Sequence, residues 1–123
     1  MQDNNAFVVA LQLFVILHHR MNQYQRGKVA VINLESFFVS EITRLGFRGK
    51  NMDSVRLYFK AGKGQLNANF SASDKDLKDI VFGAYGLLCN AIGPVKTDEM
   101  FGDAIKRVEK TAAGIAYSPK NFF

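Results

Sequence analysis

The chain has 123 residues, of which 48% are hydrophobic and 22% are charged, with two prolines and one cysteine. This composition excludes a disordered chain, and the length suits one domain whose core needs no disulfide or metal to fold. We therefore expect a single domain over residues 1–123, with residues 115–123 as an extended C-terminal tail.

The net charge of +5 is concentrated in one segment. Residues 44–63 carry six basic side chains against one acid, Asp53, while ten basic and ten acidic residues cancel elsewhere. The six basic residues are Arg44, Arg48, Lys50, Arg56, Lys60 and Lys63. A neutral body with one basic segment predicts a partner that carries negative charge.

The first predicted helix covers residues 6–24. Phe7, Leu11 and Phe14 recur at helical spacing, and further apolar residues fill the other faces. A helix that is apolar on nearly all sides must be buried on several of them, so it is either central or shared with a second subunit. The β-branched content leaves a strand over residues 7–16 as the alternative.

The N-terminal sequence predicts a cytoplasmic protein without a membrane span. Asp3 precedes the apolar segment where a signal peptide needs Lys or Arg, and no small-residue cleavage site follows. The apolar part, residues 6–17, is shorter than the roughly 20 residues that a membrane helix requires. Cys89 has no intramolecular disulfide partner, which suits a reducing compartment.

A second helix is predicted over residues 34–45. Asn33 is a suitable N-cap, and Gly46 can end the helix in the left-handed conformation. The preceding residues 28–32 alternate like a short strand at their start, and both a strand and an irregular segment stay open there.

Residues 55–70 are predicted to form a β-hairpin. Its first strand alternates apolar and polar residues: Val55, Leu57 and Phe59 against Arg56, Tyr58 and Lys60. Gly62 and Gly64 supply the turn, and residues 65–70 alternate again. Since a two-stranded hairpin is marginal alone, helices must cover its apolar face.

Two more helices follow, the first capped by Ser73 and ended at Gly93-Pro94, the second running from Thr97 to Gly114. Gly83 and Gly86 interrupt the first of them at a cost of about 1 kcal/mol each relative to alanine. We expect close approach of a neighbouring element at these two glycines to offset that cost.

These elements predict an α+β fold. About four helices would pack on a two-stranded antiparallel β-hairpin, or on a three-stranded sheet if residues 28–32 join it.

Motifs for nucleotide or metal binding are not recognised. The Gly-Lys pairs at 49–50 and 62–63 lack the residues that a phosphate-binding loop requires around them. His18 and His19 are adjacent, so on a helix they point about 100° apart and cannot readily chelate one ion. We predict no metal and no cofactor.

A non-enzymatic protein is predicted as well. Cys89 lies among apolar residues, which raise the pKa of a thiol and suppress its reactivity. Most acidic residues fall in the first turns or on the polar faces of the predicted helices. An enzyme that uses Glu35 or Glu41 is the remaining catalytic alternative, and it requires a pocket around one of them.

The main functional hypothesis is a small interaction or regulatory protein that forms a homo-oligomer through its first helix. The two terminal phenylalanines are too apolar to stay in water, so they dock on their own domain or on a neighbour. Contacts to a second subunit are predicted at Phe7, Leu11, Phe14, Phe122 and Phe123.

The partner surface is predicted in the basic segment, at Arg44, Arg48, Lys50, Arg56, Tyr58, Lys60 and Lys63. An acidic protein surface is one candidate partner. The alternative is a nucleic-acid-binding accessory or packaging protein, in which phosphates contact the cations and bases stack on Tyr58. A third interpretation is a solvated face, since edge strands often carry Lys and Arg.

Overall fold

The computed structural model describes residues 5–25, 32–62 and 72–123. Within these ranges all regular structure is helical. The elements are α1 (Asn5–Tyr24), α2 (Leu34–Arg44), α3 (Lys50–Ala61), α4 (Asp74–Ile92), α5 (Pro94–Val108), α6 (Ala112–Ala116) and a 3₁₀ helix (Pro119–Phe122).

The predicted α+β fold is wrong, because α3 occupies the place of the first hairpin strand. A strand would put Leu57 on the same face as Val55 and Phe59. In the structure Val55 and Phe59 are buried, whereas the Leu57 side chain is 65% exposed. Spacing of four residues places Val55 and Phe59 on one side of a helix and leaves Leu57 on another.

Gly62 ends α3 and does not form a hairpin turn. It has a φ of +75° in the left-handed region, and its N–H donates to the Tyr58 carbonyl. Only a residue without Cβ adopts this conformation without strain, so the glycine that suggested a turn is a helix C-cap. The predicted second strand, residues 65–70, and residues 28–31 lie outside the described residues.

Helix α1 lies at the centre of the molecule. It packs against α2, α3, α4, α5, α6 and the 3₁₀ helix. Residues 9–11 and 13–15 are all buried, and three successive helical positions point in three different directions. The all-round apolar sequence of α1 is therefore explained by burial within one chain.

A cluster of phenylalanine rings joins the first three helices. The Phe38 ring of α2 lies 4.7 Å from the Phe14 ring, 6.0 Å from the Phe7 ring and 5.8 Å from the Phe59 ring, measured between centroids. Tilted pairs at these separations are favourable beyond the apolar area that they bury. The cluster fixes α2 and α3 against α1.

The N-caps predicted at Asn33 and Ser73 are confirmed, but both predicted ends of the last long helix are wrong. That helix, α5, ends at Val108, and its predicted end, Gly114, lies inside α6. The side chains of Asn33 and Ser73 each accept from the backbone N–H three residues further on. Gly93, with a φ of +85°, separates α4 from α5, and Pro94 is the first residue of α5. The last long helix thus begins at Pro94, three residues before Thr97, because proline is favoured in a first turn.

Residues 115–123 do not form an extended tail. They complete α6 and form the 3₁₀ helix, which packs on α1, α4 and α5. The Phe122 ring is fully buried, whereas Phe123 is 44% exposed, with its ring centroid 5.6 Å from that of Phe101. The terminal phenylalanines were predicted to dock either on their own domain or on a neighbouring subunit. Phe122 docks on its own domain.

Replacing Phe38 with alanine should lower the free energy of unfolding by about 3 to 5 kcal/mol, because the change leaves a cavity among the three remaining rings. Urea unfolding measures the loss. Phe82→Ala is the matched control, since the Phe82 ring is 45% exposed and its removal leaves no comparable cavity. Equal losses in the two variants would contradict the central position of Phe38.

Replacing Gly86 of α4 and Gly114 of α6 with alanine should change the free energy of unfolding in opposite directions. A Cβ on Gly114 would lie 1.8 Å from the Val108 carbonyl oxygen, so Gly114→Ala should destabilise the protein by about 1 to 3 kcal/mol. A Cβ on Gly86 meets nothing within 4 Å, so Gly86→Ala should stabilise it by about 1 kcal/mol.

Thermal and urea unfolding of the two glycine variants tests this assignment, and a destabilised Gly86→Ala would refute it. The predicted close approach is found at Gly83, where a Cβ would lie 3.0 Å from the Phe37 ring. It is not found at Gly86.

Candidate interaction surface

Helix α3 is oriented by its two buried apolar residues. Val55 and Phe59 face the core. There the Phe59 and His18 rings are nearly perpendicular, with their centroids 5.5 Å apart. This orientation turns four exposed residues outward at helical spacing: Asp53, Arg56, Leu57 and Lys60. We call these four residues the α3 face.

A groove of about 640 Å³ lies between the α3 face and the C-terminal half of α1. Besides the α3 face, it is lined by His18, His19, Glu35 and Phe59. Leu57 contributes exposed apolar surface, while the cations of the α3 face stand beside two acids. The groove can therefore bind a group that has both apolar and charged parts.

The cations of the α3 face differ in their partners. Arg56 Nη1 lies 3.9 Å from Glu35 Oε2, a distance at which the pair is weak and exposed. Lys60 makes no ion pair with any residue in the part of the chain that the structure describes. Arg48, in the turn before α3, is exposed. Lys60 is thus the cation of this face that is most available to a partner.

The two histidines of the groove have different surroundings. His19 Nε2 donates to the Phe59 carbonyl at 3.1 Å, because a carbonyl oxygen can only accept. His18 Nε2 accepts from Asn22 at 3.3 Å, which leaves the proton of the neutral ring on the buried Nδ1. Among the described residues, Nδ1 has no hydrogen-bond partner.

Burial lowers the pKa of His18, and the nearby His19 lowers it further, while Glu35 opposes the shift. The His18 ring is therefore neutral at pH 7, so it lines the groove without a charge. Its Nδ1–H stays unpaired among the described residues.

The predicted partner residues do not all meet on one surface. Arg44, at the end of α2, is hydrogen-bonded to Glu41, which raises the pKa of the guanidinium. Arg44 lies nine positions after Glu35 on α2, which is about 13 Å along the helix axis. Arg44 therefore does not join Arg56 and Lys60. Lys50 is the first residue of α3, and Lys63 lies outside the described residues.

Tyr58 does not lie beside Arg56 and Lys60, as a strand would place it. It is half-buried, and its hydroxyl oxygen accepts from Gln12 Nε2 at 3.4 Å. Gln12 Oε1 in turn accepts from the Thr111 hydroxyl at 2.9 Å. The Tyr58 ring thus belongs to a polar contact between α1, α3 and α6 and is not a stacking platform on the α3 face.

The residues predicted to contact a second subunit are mostly interior. Phe7, Leu11, Phe14 and Phe122 are buried within the single chain, and only Phe123 is exposed among the five. The self-association itself stays a prediction.

Within residues 5–25, 32–62 and 72–123, no helix has both the length and the hydropathy needed to cross a membrane. Among the same residues, no three His, Cys, Asp or Glu side chains are grouped so that they could hold a metal ion.

Comparison with protein-family models, with curated proteins and with solved structures found no match.

Sequence reasoning missed Leu57, His18 and His19 as lining residues of the groove. Leu57 was assigned to the core because the hairpin pattern placed it there. A helical periodicity applied to residues 53–60 puts Leu57 with Asp53 and Lys60, and that spacing is the signal that could have found the α3 face.

His18 should make the protein less stable in acid. Its pKa in the folded state lies below the ordinary value of about 6.5, so the unfolded chain takes up the proton first as the pH falls. The contribution of neutral His18 to the free energy of unfolding is fully present above about pH 6.5. It is lost as the pH falls towards the pKa of His18 in the folded state. His18→Leu should remove this part of the loss.

Urea unfolding at about pH 7.5 and about pH 5 compares the wild type with His18→Leu. Asn22→Ala is the control, because it keeps the imidazole and should keep the acid sensitivity. The same loss of stability in the wild type and in His18→Leu would contradict the assignment.

Proposed function

We propose that this chain is a small non-enzymatic interaction protein and that the α3 face binds a segment of another protein. The partner segment inserts an apolar side chain beside Leu57 and places carboxylates near Lys60 and Arg48. The observation that carries the proposal is Leu57, which is 65% exposed between Arg56 and Lys60 at the edge of the groove. Interaction sites on proteins combine an apolar centre with a polar rim, and Leu57 with the charged residues around it has this arrangement.

Two features favour a protein over a nucleic acid. The aromatic ring that would stack on bases, Tyr58, is held by Gln12 away from the α3 face. Asp53 and Glu35 stand beside the cations and would repel a phosphate backbone. A protein segment with separate apolar and acidic side chains meets neither obstacle.

A role without catalysis is supported by the partners of the two acids that the sequence singled out. Glu41 holds Arg44, and Glu35 lies beside Arg56. Glu35 lines the groove, but its carboxylate, like that of Glu41, has a basic partner. We also propose a cytoplasmic location, which the lone thiol of Cys89 supports because a reducing compartment keeps such a thiol free.

Self-association through α1 is not part of the proposal, since α1 is covered by the other helices of its own chain. The homo-oligomer predicted from the sequence would have to use another surface.

Binding of fluorescent peptides that combine leucine with aspartate and glutamate tests the proposal by anisotropy. Leu57→Ser should weaken binding about tenfold, because burial of a leucine contributes about 1.5 to 3 kcal/mol and 1.4 kcal/mol corresponds to tenfold. Lys60→Glu should weaken it further. Leu87→Ser is the matched control, because Leu87 is an exposed leucine on α4, a different helix.

Single-stranded DNA and RNA at two salt concentrations form the second arm. Strong, salt-dependent binding of a nucleic acid that Lys60→Glu weakens and Leu57→Ser leaves unchanged would replace the proposal with the nucleic-acid alternative. Failure of every acidic peptide to bind would also overturn it.

A further inference from the structure

A second groove, distinct from the one beside the α3 face, lies between α1 and α5 and reaches Gly62 at the end of α3. Its volume is about 700 Å³, which is within the range of sites for small organic molecules. We call it the α1–α5 groove. His19 borders both grooves, whereas Arg20, Met100 and Arg107 line only this one. Asp103 does not itself line the groove but contacts both arginines.

The apolar part of the α1–α5 groove comes from the two helices that form its sides. Val15 and Met100 are buried side chains that line it, and Ile16 is half-buried beside them. This apolar surface can pack against an aliphatic or aromatic body, and a purely polar anion would gain nothing from it.

The charged part is organised around Asp103. One of its oxygens, Oδ2, lies 2.7 Å from Arg20 Nη1 and 3.3 Å from Arg107 Nε. One carboxylate thus holds two guanidinium groups and leaves one positive charge uncompensated. The other ion pair at the groove, between Lys96 and Glu99 at 3.8 Å, is neutral as a pair.

The two guanidinium groups keep donors free for a ligand. Each guanidinium has five N–H donors. Arg20 donates one of them to Asp103 Oδ2, while Arg107 Nε lies at ion-pair distance from the same oxygen. The side chains of Arg20 and Arg107 are 37% and 59% exposed, so the remaining donors are accessible from the groove. Guanidinium groups that are already fixed by a carboxylate lose little freedom when they bind a second acid group.

We propose that the α1–α5 groove binds a small organic anion with an apolar body. Arg20 and Arg107 hold the acid group, and Met100, Ile16 and Val15 contact the body. This site is independent of the α3 face, so failure of either proposal leaves the other standing.

The probe for the test is 8-anilinonaphthalene-1-sulfonate, which joins an aromatic body to an acid group and fluoresces when it is bound. It should bind the full chain at one site. Arg107→Gln should weaken binding about tenfold, because it removes a charged donor. Lys106→Gln is the matched control, since Lys106 is the neighbouring exposed cation on α5 and does not line the groove.

N-phenyl-1-naphthylamine has the same body without the sulfonate. It should bind the wild type about tenfold more weakly than the sulfonate does, and Arg107→Gln should not change its affinity. Gln23→Glu is a second variant, which adds a negative charge at the exposed rim and leaves the contacts of Asp103 intact. It should also weaken binding of the sulfonate.

Equal affinity of the sulfonate for the wild type, Arg107→Gln and Gln23→Glu would overturn the proposal, because the probe would then bind elsewhere, for example beside Phe82 and Phe123. Equal affinity of the wild type for the two probes would also overturn it, since the acid group would then contribute nothing.

Discussion

The burial of α1 on all sides is the constraint on which the rest of the structure depends. Every other helix covers part of α1, so the positions of α2 to α6 follow from which side of α1 each one shields. One polar residue in the middle of this apolar helix, Gln12, is accommodated because Tyr58 and Thr111 satisfy its amide. Both grooves are edges of this arrangement, where the helices diverge from the C-terminal half of α1.

The fold was predictable where a pattern continued over several turns. The apolar residues of α1, α2 and α4 repeat at helical spacing over several turns, which favoured a helix even where a strand over residues 7–16 stayed open. Asn33 and Ser73 mark the N-termini of α2 and α4 correctly. Residues 55–60 are too short for such a decision, because six residues that alternate also contain the i, i+4 pair Val55 and Phe59. The difference between strand and helix lay in Leu57, whose exposure depends on neighbours distant in sequence.

The candidate site was less predictable than the fold, for a physical reason. The charge of residues 44–63 is a property of composition, but the turn between α2 and α3 sends its members to different surfaces. Glu41 holds Arg44 at the far end of α2, while Glu35 stands beside Arg56. The groove beside the α3 face brings together His18, Glu35 and Leu57 from three different helices. Spacing within one segment of the sequence therefore could not predict it.

The contacts of α1 also determine how the chain must fold. Arg20 reaches a partner 83 residues away, and Gln12 reaches one 99 residues away. During synthesis α1 therefore leaves the ribosome long before α5 and α6 exist to cover it, and its apolar surface stays open to chaperones and to other nascent chains. A truncation before α5 would therefore leave the apolar residues of α1 without two of the helices that cover them.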